Sequence, residues 1–155
     1  QEEIEERVKE ALKAVDMEGF EEEDPFSLTK GQRQRIAVAS ILSARPKVII
    51  LDEPTTGLDY KEQRQMMELI KKLNENGHTI IMVTHTMWVV AEYAHKVGVV
   101  NQGKLALYGS TREVFSKEEE LLDYYLKVPH IVSFSNKLGK TLLSVEEMIR
   151  CTEGV

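Results

Sequence analysis

Cysteine is almost missing from this sequence. Cys151 is the only one in 155 residues, which excludes a disulfide framework within the chain and suits a reducing compartment. No apolar run approaches the roughly 18 residues of a membrane-spanning helix. Glutamate dominates the first ten residues, so nothing there resembles a secretory leader. Excess positive charge is missing too. Lys and Arg number 20 against 26 Asp and Glu, a formal net charge of −6, which argues against a general nucleic-acid binder. His78, His95 and His130 share no metal-ligand spacing, so no transition metal is assigned. What is present is ordinary for a globular chain: 42% apolar and 30% charged residues, enough for one domain or a domain with an appendage. A soluble, cytoplasmic protein is the expectation.

Ile4, Val8, Leu12 and Val15 recur at helical spacing opposite a glutamate face, predicting a helix over 1–15. An acidic loop over 19–25 follows, then a polar stretch over 27–32. A second helix is predicted over 33–44, with Ile36, Ala39, Ser40 and Ile41 on its buried side, ending at Arg45-Pro46. Residues 47–52 are unbroken in apolar character, which suits a parallel strand covered on both faces. An amphipathic helix over 60–76 closes on Gly77. A second strand spans 79–84, a short helix 87–94 and a third strand 96–100. Turn residues Asn101-Gln102-Gly103 predict a hairpin partner over 104–108. Short helices over 109–116 and 117–126 lead into a helical tail broken at Pro129 and Gly139. The alternation of strand and helix predicts an α/β fold. In such sheets ligands gather at the carboxyl ends of strands, where Asp52, Glu53 and His85 all fall.

The stretch KVIILDEPTTGLD drives a hydrophobic strand straight at two adjacent carboxylates, Asp52 and Glu53. Two such groups resist desolvation unless a cation or a reacting water gives them a role. A carboxylate closing a buried strand is the Walker B arrangement, which holds Mg²⁺ beside nucleotide phosphates. A second carboxylate can take a proton from the attacking water, an effect worth on the order of 10²–10⁴ in rate. His85 is placed to bond a terminal phosphate or orient that water. Each feature alone also fits a surface turn or a structural histidine. Upstream, SLTKGQRQR sets a hydroxyl, a glycine and a glutamine at the start of a helix, where amides and dipole favour an anion. Thr29 equally serves as the helix N-cap, and both roles can hold at once. Arg33 and Arg35 are open between steering phosphates and solvating the helix.

Taken in order, LTKGQ, ILDEP, TGLD and Thr84-His85 resemble the signature motif, Walker B with catalytic glutamate, D-loop and H-loop of the ATP-binding-cassette (ABC) transporter ATPases. The resemblance spans roughly residues 2–116. It implies the C-terminal half of a nucleotide-binding domain: a P-loop NTPase-like, mostly parallel sheet with part of the helical subdomain and a C-terminal helical tail. It implies ATP and Mg²⁺ as cofactors, Asp52 on the metal, and Glu53 and His85 as catalytic. Thr29, Gly31 and Gln32 would face the ATP of a partner subunit, and Asp59 would communicate across the dimer. Lys30 departs from the family's usual glycine and would add a cation near a phosphate. The segment GKLALYGSTREVF and the tail look most like the energy-coupling-factor and cobalt-type importers. That subgroup implies membrane transporter subunits as partners, a location on the cytoplasmic face of the membrane and no nucleic acid.

The family's phosphate cradle, G-x-x-x-x-G-K-[ST], is missing from the sequence. Gly139-Lys140-Thr141 supplies its second half, but Phe134 stands where the first glycine should be, and a tail helix boundary explains the glycine better. In the family the Walker A strand lies between the strands at 79–84 and 96–100, so the sheet is expected to lack it there. The chain is therefore expected to be part of a longer ATPase and inactive alone. Residues 1–46 are assigned to the helical subdomain, 47–116 to the catalytic core half and 117–155 to the tail. The alternatives are a non-transport ABC ATPase of translation or DNA repair, and a binding module without turnover.

Overall fold

The computed structural model describes residues 2–153. The chain divides into two compact units, residues 1–83 and 84–155.

The first unit begins with helix α1 (Glu2–Ala14), whose Glu2, Glu3 and Glu5 lie in the first turn and Lys13 in the last, each opposing the helix dipole. It ends where Asp16 turns left-handed (φ 56°) and the Met17 amide donates to the Leu12 carbonyl at 2.9 Å. Helix α2 (Lys30–Leu42) packs on α1. Ala11, Leu12 and Val15 are buried on the α1 side, and Val38, Ala39 and Leu42 on the α2 side. Two expectations change here. Helix α2 starts at Lys30 rather than 33, because Thr29 caps it. Its buried side is Val38, Ala39 and Leu42, whereas Ser40 and Ile41 are exposed. Ile4 and Val8 on α1 are exposed as well.

Strand β1 (Val48–Asp52), helix α3 (Tyr60–Glu75) and strand β2 (Thr79–Val83) form a βαβ unit. The strands pair in parallel, Val48 opposite Thr79 through Asp52 opposite Val83. Helix α3 presents Met66, Met67, Leu69, Ile70 and Leu73 to the interior, and Ile49 and Leu51 of β1 are buried. Each such side chain contributes about 1.5–3 kcal/mol when fully covered. The expectation that β1 is covered on both faces fails. Val48, Ile50, Ile81 and Val83 point the other way and are 49%, 65%, 50% and 55% exposed.

The second unit contains α4 (Met87–Tyr93), β3 (Lys96–Asn101), β4 (Lys104–Ser110), α5 (Thr111–Phe115), α6 (Glu118–Asp123), α7 (His130–Lys137) and α8 (Val145–Thr152). Strands β3 and β4 form an antiparallel hairpin with a bulge at Val99/Val100. Gln102 and Gly103 both have positive φ (49° and 73°), the backbone a tight two-residue hairpin requires. Val90, Ala91, Val99, Leu107, Val114, Phe115, Leu121, Val128 and Val132 make one buried cluster. Arg112 on α5 reaches α8, bonding Glu147 at 2.9 Å, and the Leu143 amide donates to the same carboxylate at 2.9 Å.

Candidate active site

The carboxyl end of β1 is held in an unusual conformation. Asp52 closes the strand with its side chain exposed, and Glu53 follows with φ 47°. A left-handed conformation costs a residue with a Cβ about 1–2 kcal/mol. The backbone is held by the Glu53 amide, which donates to the Val83 carbonyl at 2.9 Å, and by the Thr56 amide, which donates to the Glu53 carbonyl at 3.1 Å. The Glu53 side chain is fixed as well: its Oε2 accepts from the Thr56 hydroxyl at 3.1 Å. Sequence reasoning passed over Thr56, although its position three residues beyond Glu53 suits a hydroxyl that folds back on it.

The turn over 55–59 is braced from α3. The Gln63 amide nitrogen donates to the Leu58 carbonyl at 3.1 Å and to the Thr55 carbonyl at 3.4 Å. Asp59 caps α3 by accepting from the Glu62 amide at 2.8 Å, and Glu62 answers by accepting from the Asp59 amide at 3.3 Å. Helix α2 starts in the same manner. The Thr29 hydroxyl accepts from the Gln32 amide at 3.3 Å, and Gln32 Oε1 accepts from the Thr29 amide at 2.8 Å. The side chains of Thr29, Gln32 and Asp59 are thus engaged in capping, and the first-turn amides of α2 lie at its positive end.

The two helix starts adjoin each other. A Cβ on Gly31 would lie 3.1 Å from Glu62 Oε1, and a Cβ on Gly57 would overlap the Lys30 ammonium. A cavity of about 300 Å³ beside them is lined by Thr29, Gly31, Gln32, Leu58 and Glu62 and also by Asp16, Met17 and Phe20 beyond the end of α1. Arg33 bonds the Leu28 carbonyl at 2.6 Å and Arg35 bonds Gln65 at 3.2 Å. Arg33 thus ties down the segment before α2, and Arg35 ties α2 to α3. Of the predicted site residues, Gly31 and Asp59 meet through Glu62, Thr29 and Gln32 cap the same helix start, and Glu53 is tied to Thr56 beside Gly57, while Asp52 stands exposed before it. His85 belongs to the second unit, two residues beyond the end of β2 and exposed, where the Thr86 amide turns back onto the Thr84 hydroxyl at 3.1 Å.

Residues 1–56 match the family model described as ABC transporter. An ABC transporter ATP-binding protein of Caldanaerobacter subterraneus subsp. tengcongensis is 74% identical over 153 residues, covering 99% of this chain and 27% of that protein. The chain belongs to the ABC transporter ATPase family.

Two further ABC relatives agree. The energy-coupling factor transporter ATP-binding protein EcfA of Methanococcus maripaludis is 47% identical over 139 residues, 90% of this chain and 50% of its own length. The structure of CbiO1 from Clostridium perfringens, described as part of the ABC transporter complex CbiONQ, superposes with a TM-score of 0.69 at 37% identity. It covers 84% of this chain and 52% of that one. The βαβ unit and its helices are therefore part of an ABC-type P-loop NTPase domain, and the chain spans about half the length of these last two relatives. No helix among the described residues is long and apolar enough to cross a membrane.

Among the described residues, the carboxylates at the end of β1 are the ones that could hold a nucleotide-bound Mg²⁺. Mg²⁺ on a nucleotide asks for one or two carboxylates and takes phosphate oxygens and water for the rest. Asp52, exposed at a strand end, suits that demand.

Proposed function

We propose that this ABC chain supplies the Walker B, D-loop, H-loop and signature elements of a Mg²⁺-dependent ATPase that powers an importer of the energy-coupling-factor or cobalt type. The observation that carries the reading is Glu53. A left-handed glutamate at the tip of a parallel strand, tied at backbone and side chain, is costly unless its position matters to chemistry. In this reading Asp52 holds the metal, which offsets phosphate charge when bound. Glu53 accepts a proton from the attacking water, with its carboxylate oriented by Thr56. His85 contacts the terminal phosphate. Thr29, Gly31 and Gln32 present the start of α2 to ATP held by a second cassette, and Asp59 communicates with that cassette. Membrane subunits at the cytoplasmic face of the membrane complete the importer, as the names of EcfA and CbiO1 suggest for those proteins.

The test is Glu53→Gln in the full-length protein. ATP binding should persist while turnover falls on the order of 10²–10⁴-fold. Unchanged hydrolysis would remove Glu53 from the role of base. A second reading concerns the partner. The Caldanaerobacter relative is about twice as long as the Methanococcus one, since 153 residues are 27% of the first and 139 residues are 50% of the second. That length leaves room for two cassettes on one polypeptide. ATP hydrolysis by a monodisperse single polypeptide would favour a fused partner, and activity confined to dimers a separate one.

A further inference from the structure

We propose that Lys30 and Glu62 are positioning residues that lock the signature segment to the 55–59 turn, so that the face this chain offers to a second cassette and its own Glu53 move as one body. The proposal rests on the reading above that the start of α2 faces ATP held by that cassette while Glu53 serves this chain's own site. Lys30 is the first residue of α2, and no acidic residue shares that first turn. A cation is disfavoured there by the helix dipole, so its placement asks for another reason. Its ammonium occupies the space over Gly57, whose φ is +73°; a Cβ at 57 would overlap Nζ and lie 3.2 Å from Cε. From the opposite direction, Glu62 brings its carboxylate against Gly31, 3.1 Å from where a Cβ would stand.

Each segment therefore offers a glycine, and each receives a charged side chain from the other. Glu62 is engaged twice, with Oε1 over Gly31 and Oε2 on the Asp59 amide. Beside Gly57, the Thr56 hydroxyl bonds Glu53. Contacts thus run without interruption from Glu53 through Thr56, Gly57, Lys30 and Gly31 to Glu62 and Asp59. A displacement of the α2 start carries the turn with it, and with the turn the carboxylate at 53. The lysine that replaces the family's usual glycine acts here on the turn.

Hydrogen–deuterium exchange on the chain tests the lock directly. Lys30→Ala should speed exchange at the amides of 57–59 and 31–32 by about threefold or more, because local opening becomes easier, and Lys30→Arg should restore protection. Unchanged exchange at 57–59 overturns the proposal. A thermal double-mutant cycle is the second measurement. Gly57→Ala should lower Tm less in the Lys30→Ala background than in wild type, since the overlap is already relieved; an equal loss in both overturns it. In the full-length protein, Lys30→Ala should lower kcat about tenfold with KM for ATP nearly unchanged, and Lys30→Arg should recover it. A rise in KM with kcat intact also overturns the proposal, since Lys30 would then act on the nucleotide itself. If the wild-type protein hydrolyses no ATP, the proposed function fails, and the exchange result alone judges the lock.

Discussion

Neighbouring isoleucines in β1 offer a sharp test of which face of the βαβ unit is covered. Ile49 is fully buried, whereas Ile50 is 65% exposed. Ile49→Ala removes buried methylenes and leaves a cavity in the interior of the first unit, which costs about 2–5 kcal/mol. At Ile50 only about a third of the side chain is shielded. A third of the roughly 1.5–3 kcal/mol available to a covered isoleucine gives about 0.5–1 kcal/mol for Ile50→Ala. For a chain of this size about 2–4 °C of Tm accompanies each kcal/mol, so Ile49→Ala should lower Tm by roughly 4–20 °C and Ile50→Ala by roughly 1–4 °C. Urea titration and calorimetry on the chain read both. Equal losses would refute the reasoning, because the register that alternates these residues would be wrong. In the full-length protein the argument gains a second reading. If further residues cover this face there, Ile50→Ala becomes nearly as costly as Ile49→Ala.

Three other outcomes follow from the site and the tail. Thr56→Val removes the hydroxyl that bonds Glu53, so the full-length protein should lose up to about tenfold in kcat with KM little changed, a bond worth about 1 kcal/mol; unaltered kcat would show that Thr56 does not orient the carboxylate. Thr29→Ala should destabilise the chain by about 1 kcal/mol through loss of the α2 cap, read as a shift in urea midpoint, and Thr29→Ser should not. The Glu147 carboxyl is held below the usual carboxylate range, first by its hydrogen bond from Arg112 and also by the Leu143 amide. A lowered folded pKa means the bond contributes fully above the ordinary range near about 4.3, and its contribution is lost as pH falls through the folded value. Glu147→Gln should therefore flatten that part of the acid stability profile, by no more than about 1 kcal/mol because both groups are partly exposed. An unchanged profile would mean that the bridge contributes nothing to docking α8.

Much of this architecture was legible because periodicity and punctuation agree. The run into Asp52, the amphipathic stretch closed by Gly77, and the apolar strand into Val83 set the order β1, α3, β2 without ambiguity. The Gln102-Gly103 turn marks the hairpin of the second unit equally well, whereas the helix expected from 109 starts at Thr111, because Gly109 and Ser110 belong to β4 and Ser110 caps α5 with Glu113. Gly139 lies one residue past the α7 C-cap with φ 75°, as a tail helix boundary requires. The phase of α2 was harder. Its apolar residues Ile36, Val38, Ile41 and Leu42 are dispersed around the helix among small and polar ones, so several faces compete as the buried one. A helix start at 33 also sits at odds with Thr29 as its N-cap; the Thr-x-x-Gln capping box fixes the start at Lys30. An unbroken apolar strand cannot report by itself that one of its faces lies open. Nor can local pattern pair Lys30 with Gly57, or Glu62 with Gly31, since those meetings depend on how α2 and α3 are set side by side.

The βαβ unit also carries a kinetic consequence. Its strands pair in parallel from Val48 opposite Thr79 to Asp52 opposite Val83, so each ladder contact closes a long loop at an entropic cost of about 3 kcal/mol, and parallel pairing of this kind is slow. Helix α3 fills most of that loop, so its earlier formation shortens the search, and the ladder closes only after the last residue of β2 is available to pair.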